Sequence, residues 1–216
     1  MKFPKSYKGI KLIYLAEILM LLVAVLSVIE VFIVAGNGVV VDNSIIVSAG
    51  TLTAVQIIGV AVIVMAVIAF LVYLIGVVSC RNDDDSFKFA LFATIAGIVF
   101  SIVKGIPGAS ASLTNWMDTL NALASLFASY FILTGVANLS DAYPDPQTKA
   151  LCLKSRNLLC CALAASAILR CITGIFGASQ SGALWTILGI VAISIEIISY
   201  VVYLLALSRS KNMLSK

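Results

Sequence analysis

The sequence predicts an all-α integral membrane protein: six transmembrane helices arranged as three parallel two-helix hairpins, with both termini cytosolic. Composition is the first reason. The 216 residues are 62% hydrophobic and 11% charged, where a globular domain is about 45–50% apolar and about 25% charged. A mean hydropathy of +1.12 means that most of the chain must find its solvent in lipid. The second reason is length. Six apolar stretches, near 9–35, 54–79, 87–105, 117–138, 154–175 and 184–207, each suit a bilayer core of about 30 Å. The third is charge placement, since 12 of the 14 Lys and Arg fall in the two tails and in alternate loops.

The first span follows Lys2, Lys5, Lys8 and Lys11. That pattern resembles a signal peptide, but the apolar run from Ile10 to Ala35 is too long for an h-region and no A-x-A site closely follows it. A retained span is the expectation. The connection from Gly36 to Thr53 is Gly/Asn-punctuated around VVVDNSIIV and suits a short external hairpin or half-turn. In the second span the run Val60 to Val64 has high β-propensity. Lipid offers backbone groups no partners, so helix is expected there regardless.

The 2–3 loop carries Arg81 and Lys88 around Asp83, Asp84 and Asp85. A Ca²⁺ or Mg²⁺ site would need several further oxygens, so the loop reads as solvated, with Asp85 or Ser86 capping the third helix. Pro144 and Pro146 stop the fourth helix, and Lys149, Lys154 and Arg156 open the fifth. Arg209, Lys211 and Lys216 end the chain. The 1–2 and 5–6 connections contain no Lys or Arg, so the positive-inside rule places both termini in the cytosol. Trp116 and Trp185 then lie at the outer interface, and Tyr7, Tyr143 and Tyr203 near the inner one.

A repeat supports the hairpin reading. KGIPGASASLTNW from Lys104 and RCITGIFGASQSGALW from Arg170 share a Gly-Ala-Ser-x-Ser…Trp turn at a spacing of 69 residues. Ser6-Tyr7-Lys8 and Ser86-Phe87-Lys88 open the first two hairpins alike. Repeats of about 1–80, 81–148 and 149–216 follow, within a single six-helix domain. Three such units around a normal axis match the layout of mitochondrial carriers in that count alone. The motif P-x-[DE]-x-x-[KR] is absent after Pro107, Pro144 and Pro146, so no carrier residue is transferred.

Charges inside spans are costly and mark candidate sites. Glu30, Lys104 and Arg170 fall in the outer half, and Glu17 and Glu196 in the inner half. Lys104 shares a helix face with Ser101, Gly97 and Ala93, and Arg170 with Ala167, Ser166 and Ala162. Such small-residue faces suit close helix approach, so the charges are expected to point into the bundle. Pairing of Glu30 with Lys104 or Arg170 is the simplest arrangement, the other cation snorkelling or meeting an anion. Glu17 and Glu196 are candidates for protonated acids, or for hydrogen bonding to Tyr14, Tyr200 or Tyr203.

The sequence has no His, no G-x-S-x-G, no H-E-x-x-H and no phosphate-binding glycine pattern, so no enzyme, cofactor or metal site is expected. The five Cys form no C-x-x-C and read as small buried residues. The basic loops are explained by topology and anionic lipid, which leaves no role for nucleic acid. The favoured reading is a non-catalytic membrane module (scaffold, assembly factor or regulatory subunit). Its partners are the bilayer and another membrane protein or a second copy, met through small-residue faces. The alternative is a small transporter or channel for an anionic solute, a proton or a cation, using the buried charges. Size and short loops point to a bacterial inner membrane.

Overall fold

The structure, a computed structural model, describes residues 2–41, 44–47, 49–105, 111–143, 145–176 and 183–215. Six helices account for nearly all of them: α1 Pro4–Asn37, α2 Ala49–Cys80, α3 Asp85–Lys104, α4 Ala111–Ser140, α5 Pro146–Phe176 and α6 Ala183–Leu214. Between α1 and α2 stand two four-residue strands, β1 Gly38–Val41 and β2 Ser44–Val47. They pair antiparallel from Gly38↔Val47 to Val41↔Ser44. The VVVDNSIIV connection is therefore a hairpin, with Asp42 and Asn43 outside the described residues.

The helices are longer than the apolar stretches that announce them. The first begins at Pro4 rather than residue 9, and the last runs to Leu214 rather than 207. Once nucleated, a helix adds one hydrogen bond per residue fixed, so it continues past the hydrocarbon boundary until a cap or a Pro ends it. The Val-rich run from Val60 to Val64 lies inside α2. Intramembrane hydroxyls follow the same logic. Ser27, Thr94 and Thr134 donate to the carbonyls of Val23, Ala90 and Tyr130, four residues back, at 2.8–3.0 Å.

Among the described residues four helices are long and apolar enough to cross a membrane: Pro4–Val34, Gly50–Cys80, Asp85–Lys104 and Thr119–Ser140. At 20 residues and about 1.5 Å per residue, α3 matches the hydrocarbon thickness of about 30 Å.

The chain divides into two compact units, Leu12–Gly76 and Met1–Lys11 with Val77–Lys216. In the larger unit α3 packs on α4, α4 on α5 and α5 on α6. The α3–α4 seam depends on two glycines. A Cβ at Gly97 would lie 3.6 Å from Ala124 Cβ and 3.1 Å from Asn121 Oδ1, so the backbones approach closely there. At Gly135 a Cβ would stand 2.8 Å from Phe87 Cε2 and Cζ, and Phe87 is fully buried. Gly135 is the notch that receives the ring. Around it Ala90, Ala128, Ile132, Leu133 and Val136 complete the packing.

Gly135→Ala should lower unfolding free energy by about 1–3 kcal/mol, the usual range for overpacking a well-filled site. Gly36→Ala, where a Cβ meets only open space, should leave stability unchanged or raise it by a few tenths of a kcal/mol. Chemical unfolding in detergent compares the two; equal stabilities would mean that the Phe87 ring yields without cost.

Candidate functional site

Among the described residues, the densest set of polar contacts lies at the end of the larger unit where the N-terminal segment, the 2–3 loop, the 4–5 loop and the end of α6 are found. Each element is there for a local reason. Pro4 opens α1, where a missing N–H costs nothing, and the next N–H groups need acceptors. Asp83 supplies one from 77 residues away: its Oδ2 accepts from the Ser6 backbone N–H at 2.9 Å and from Ser6 Oγ at 2.6 Å. A carboxylate at a helix N-terminus also meets the positive end of the helix dipole. The fully buried Cys80 donates its S–H to the Ser6 carbonyl at 3.7 Å, tightening the same junction.

The three aspartates thus have separate roles. Asp84, not Asp85 or Ser86, is the N-cap of α3 and accepts from the Ser86 N–H at 2.8 Å. Its second oxygen accepts from Asn138 Nδ2 at 3.1 Å, tying the cap to the end of α4. Asp85 pairs with Lys88 at 2.6 Å on the exposed surface. In the 4–5 connection Asp145 caps α5, accepting from the Thr148 N–H at 3.1 Å and from Thr148 Oγ1 at 2.8 Å, with Pro146 as first helical residue. Lys2 then closes the layer. Its ammonium donates to the Ala142 carbonyl at 2.7 Å, and its backbone N–H to the Tyr143 hydroxyl at 3.1 Å. Arg209 near the end of α6 donates to Gln147 Oε1.

Two cysteines differ in accessibility. Cys152 precedes the apolar part of α5, is fully buried and lies 3.5 Å from Ser210 Oγ. Burial, the largest influence, pushes its thiol above the ordinary value; the Ser210 contact opposes this and nearby Asp145 adds to it. Cys161 is exposed.

The acids and bases singled out from the sequence are distributed as follows. Glu30, half-buried, directs Oε1 to 3.6 Å from the place a Cβ would take on Gly59, so the carboxylate of α1 is accommodated by a glycine of α2. The Leu12–Gly76 unit that holds it contains Glu17, Glu30 and Asp42 but no Lys or Arg. Glu17 is half-buried and engaged. Lys104, expected in a buried cluster, is exposed in the last turn of α3. A cation there faces the negative end of the helix dipole and reaches the interface. The side chains of Arg170 and Glu196 lie outside the described residues, as do those of Ser110, Ser112, Ser179, Ser181 and Trp185 in the twin turns. Trp116 is 65% exposed.

Arg156 is the residue that sequence reading missed. Counted there as a loop cation, it turns toward α4. Its guanidinium lies 5.0 Å from the Tyr130 ring centroid and donates to Thr134 Oγ1 at 3.4 Å. Its buried Nε has no partner among the described residues. Thr134 and Tyr130 lie four and eight residues before Asn138, about one and two turns inside the apolar span. Arg156 therefore packs on the apolar stretch of α4, which is itself a candidate span. The spacing 130/134 on α4 is a legible i,i+4 face, but nothing in the sequence aims Arg156 at it.

Among the described residues no group of three His, Cys, Asp or Glu could hold a metal ion. The carboxylates of the polar layer are committed to capping and cross-linking, which is structural work. A multi-pass helical membrane protein is the class these observations define. No protein-family model, curated protein or solved structure matches the chain.

Two predictions follow from this layer. Asp83→Ala should cost about 1–2 kcal/mol, as loss of an N-cap does, and should speed amide exchange at Ser6 while leaving the α3–α4 amides protected; hydrogen exchange read by mass spectrometry separates the two regions. Cys152 should resist alkylation by a maleimide in the folded protein at neutral pH and label once the protein is unfolded. A thiol whose folded pKa is raised favours the fold fully below its unfolded pKa, and this contribution disappears as pH rises through the folded value. Cys152 labelling should therefore become rapid only at alkaline pH or on unfolding, and rapid labelling at neutral pH in folded protein would contradict the packing around Ser210.

Proposed function

We propose that the protein is a non-catalytic helical membrane module, a scaffold, assembly or regulatory subunit, that acts through lateral helix packing. The observation that supports this reading is the contrast between its helices. Within their apolar windows only 11% of α1 and 6% of α2 are buried, against 39% of α4. Phe32, Ile57, Val60 and Ile63 stand 62–72% exposed. Into this apolar pair the chain places Glu30, in a unit without a cation of its own. A carboxyl in hydrocarbon favours any helix that brings a donor or a positive charge. In the proposed arrangement that donor is Lys104 or Arg170 of this chain, or a polar residue of a second membrane protein.

The same reading takes both termini as cytosolic, the hairpins as three related units and a bacterial inner membrane as the compartment. It rests on the basic loops, the GASxSxxxW repeat and the short connections. A transport reading is favoured by one observation, the guanidinium of Arg156 over Tyr130. In that version Arg156, Arg170 and Lys104 attract an anionic solute, and Glu17 and Glu196 carry protons or cations.

A photocrosslinker at Phe32 or Ile57, activated in native membranes, distinguishes the readings. The module hypothesis expects one discrete adduct with a second membrane protein or a second copy, weakened by Glu30→Leu. Recovery solely as an inert monomer would refute it. Proteoliposome flux of anions or protons above empty vesicles, abolished by Arg156→Gln, Arg170→Ala or Glu196→Gln with folding intact, would establish transport instead.

A further inference from the structure

We propose that a cavity at the start of α3 binds the headgroup of an anionic phospholipid from the adjacent leaflet. The cavity, about 310 Å³, is lined by Arg81, Asn82, Lys88, Leu91 and Phe92. Its lining is part polar and part apolar. Arg81, Asn82 and Lys88 form the polar part, at the start of α3. Leu91 and Phe92, one turn further along α3, supply its apolar lining, and Phe92 is 69% exposed.

The donors needed for a phosphate are available. Arg81 has no hydrogen-bond or ion-pair partner among the described residues, and its guanidinium carries five donors in a fork that matches phosphate oxygens. Lys88 offers three donors, of which Asp85 takes one at 2.6 Å. That pair is exposed on both sides, so it holds the ammonium only weakly against a competing anion. The neighbouring carboxylates keep their charge but turn oxygens to other partners, Asp83 to Ser6 and Asp84 to Ser86 and Asn138, and none of the five lining residues is an acid.

A lipid, rather than a free phosphate, is indicated by what lies below. Lys88, Phe92, Ile95, Val99 and Ile102 recur at steps of four and three along α3, so they share one face. The four apolar members are 45–69% exposed. Phe87, Ala90 and Gly97 face α4 instead. From Lys88 to Ile102 the stripe extends about 21 Å, longer than the roughly 15 Å of one leaflet's hydrocarbon. An acyl chain can therefore lie along it without leaving protein contact while its phosphate sits between Arg81 and Lys88. With this end cytosolic, as in the reading proposed above, inner-leaflet anionic lipid is drawn to its juxtamembrane cations, and the open cavity gives the phosphate a place between them.

Native mass spectrometry of the full chain in nonionic detergent, titrated with phosphatidylglycerol and in parallel with phosphatidylcholine, tests this. One phosphatidylglycerol should be retained preferentially, and Arg81→Gln with Lys88→Gln should weaken it roughly tenfold. Arg209→Gln, a cation of the same polar layer bonded to Gln147, should leave binding unchanged. Thermal unfolding of each variant checks that the fold persists, and Arg81→Gln alone, which disturbs no described contact, should still weaken binding. Equal retention of the two lipids, equal loss in Arg209→Gln, or displacement of the lipid by inorganic phosphate alone would overturn the proposal.

Discussion

Hydrocarbon leaves a backbone no hydrogen-bond partner but itself, and the architecture of this chain depends on that constraint. It makes α2 helical through a Val- and Ile-rich run that would favour a strand in water. It confines the one pair of described strands to the connection between α1 and α2. It also explains why Ser27, Thr94 and Thr134 turn their hydroxyls back on their own helices. The length of α3 gives the constraint a scale. A helix as long as the bilayer core is thick has no residue to spare, and the charges of α3 stand at its ends, Asp85 and Lys88 in the first turn and Lys104 in the last.

Where the helices leave the hydrocarbon, the problem is reversed. Free N–H groups at helix starts and the charges of the loops must be matched, and the chain does this by exchange between elements. The 2–3 loop caps α1 through Asp83 and α3 through Asp84, while Asn138 of α4 returns a donor to Asp84. Lys2 binds the 4–5 connection at Ala142 and Tyr143. That end is cross-linked by side chains, whereas α1 and α2 present mostly apolar, exposed surface. Arg81, whose guanidinium has no partner among the described residues, lies beside the start of α3 in the cavity proposed to take an anionic headgroup.

Charges within the span divide by how they are accommodated. Lys104 escapes to an interface because it ends its helix. Glu30 is too far along α1 to do so and is given room by Gly59. Arg156 sits near the start of its span but turns inward, over Tyr130 and against Thr134. Position along the chain therefore sets the cost of a charge, and the neighbouring helix sets whether that cost is met.

Membrane class, the number of helices and the hairpin between α1 and α2 were legible in the sequence, because hydropathy, span length and turn residues are properties of neighbouring positions. The helix ends were less so: Asp84 rather than Asp85 caps α3, a choice made by backbone geometry at the loop and by Asn138 from another helix. The site was least legible. Asp83 reads as a solvated loop acid until Ser6 is brought to it from 77 residues away. Arg156 reads as a basic loop residue until α4 offers it a ring, and Gly135 as one more small residue until Phe87 fills it. The sequence by itself determined that the chain would live in lipid as helices, since each segment must satisfy its own backbone there. Only the tertiary structure decided which carboxylate meets which helix end and which cation turns inward, because those choices depend on distances between helices that no local pattern encodes.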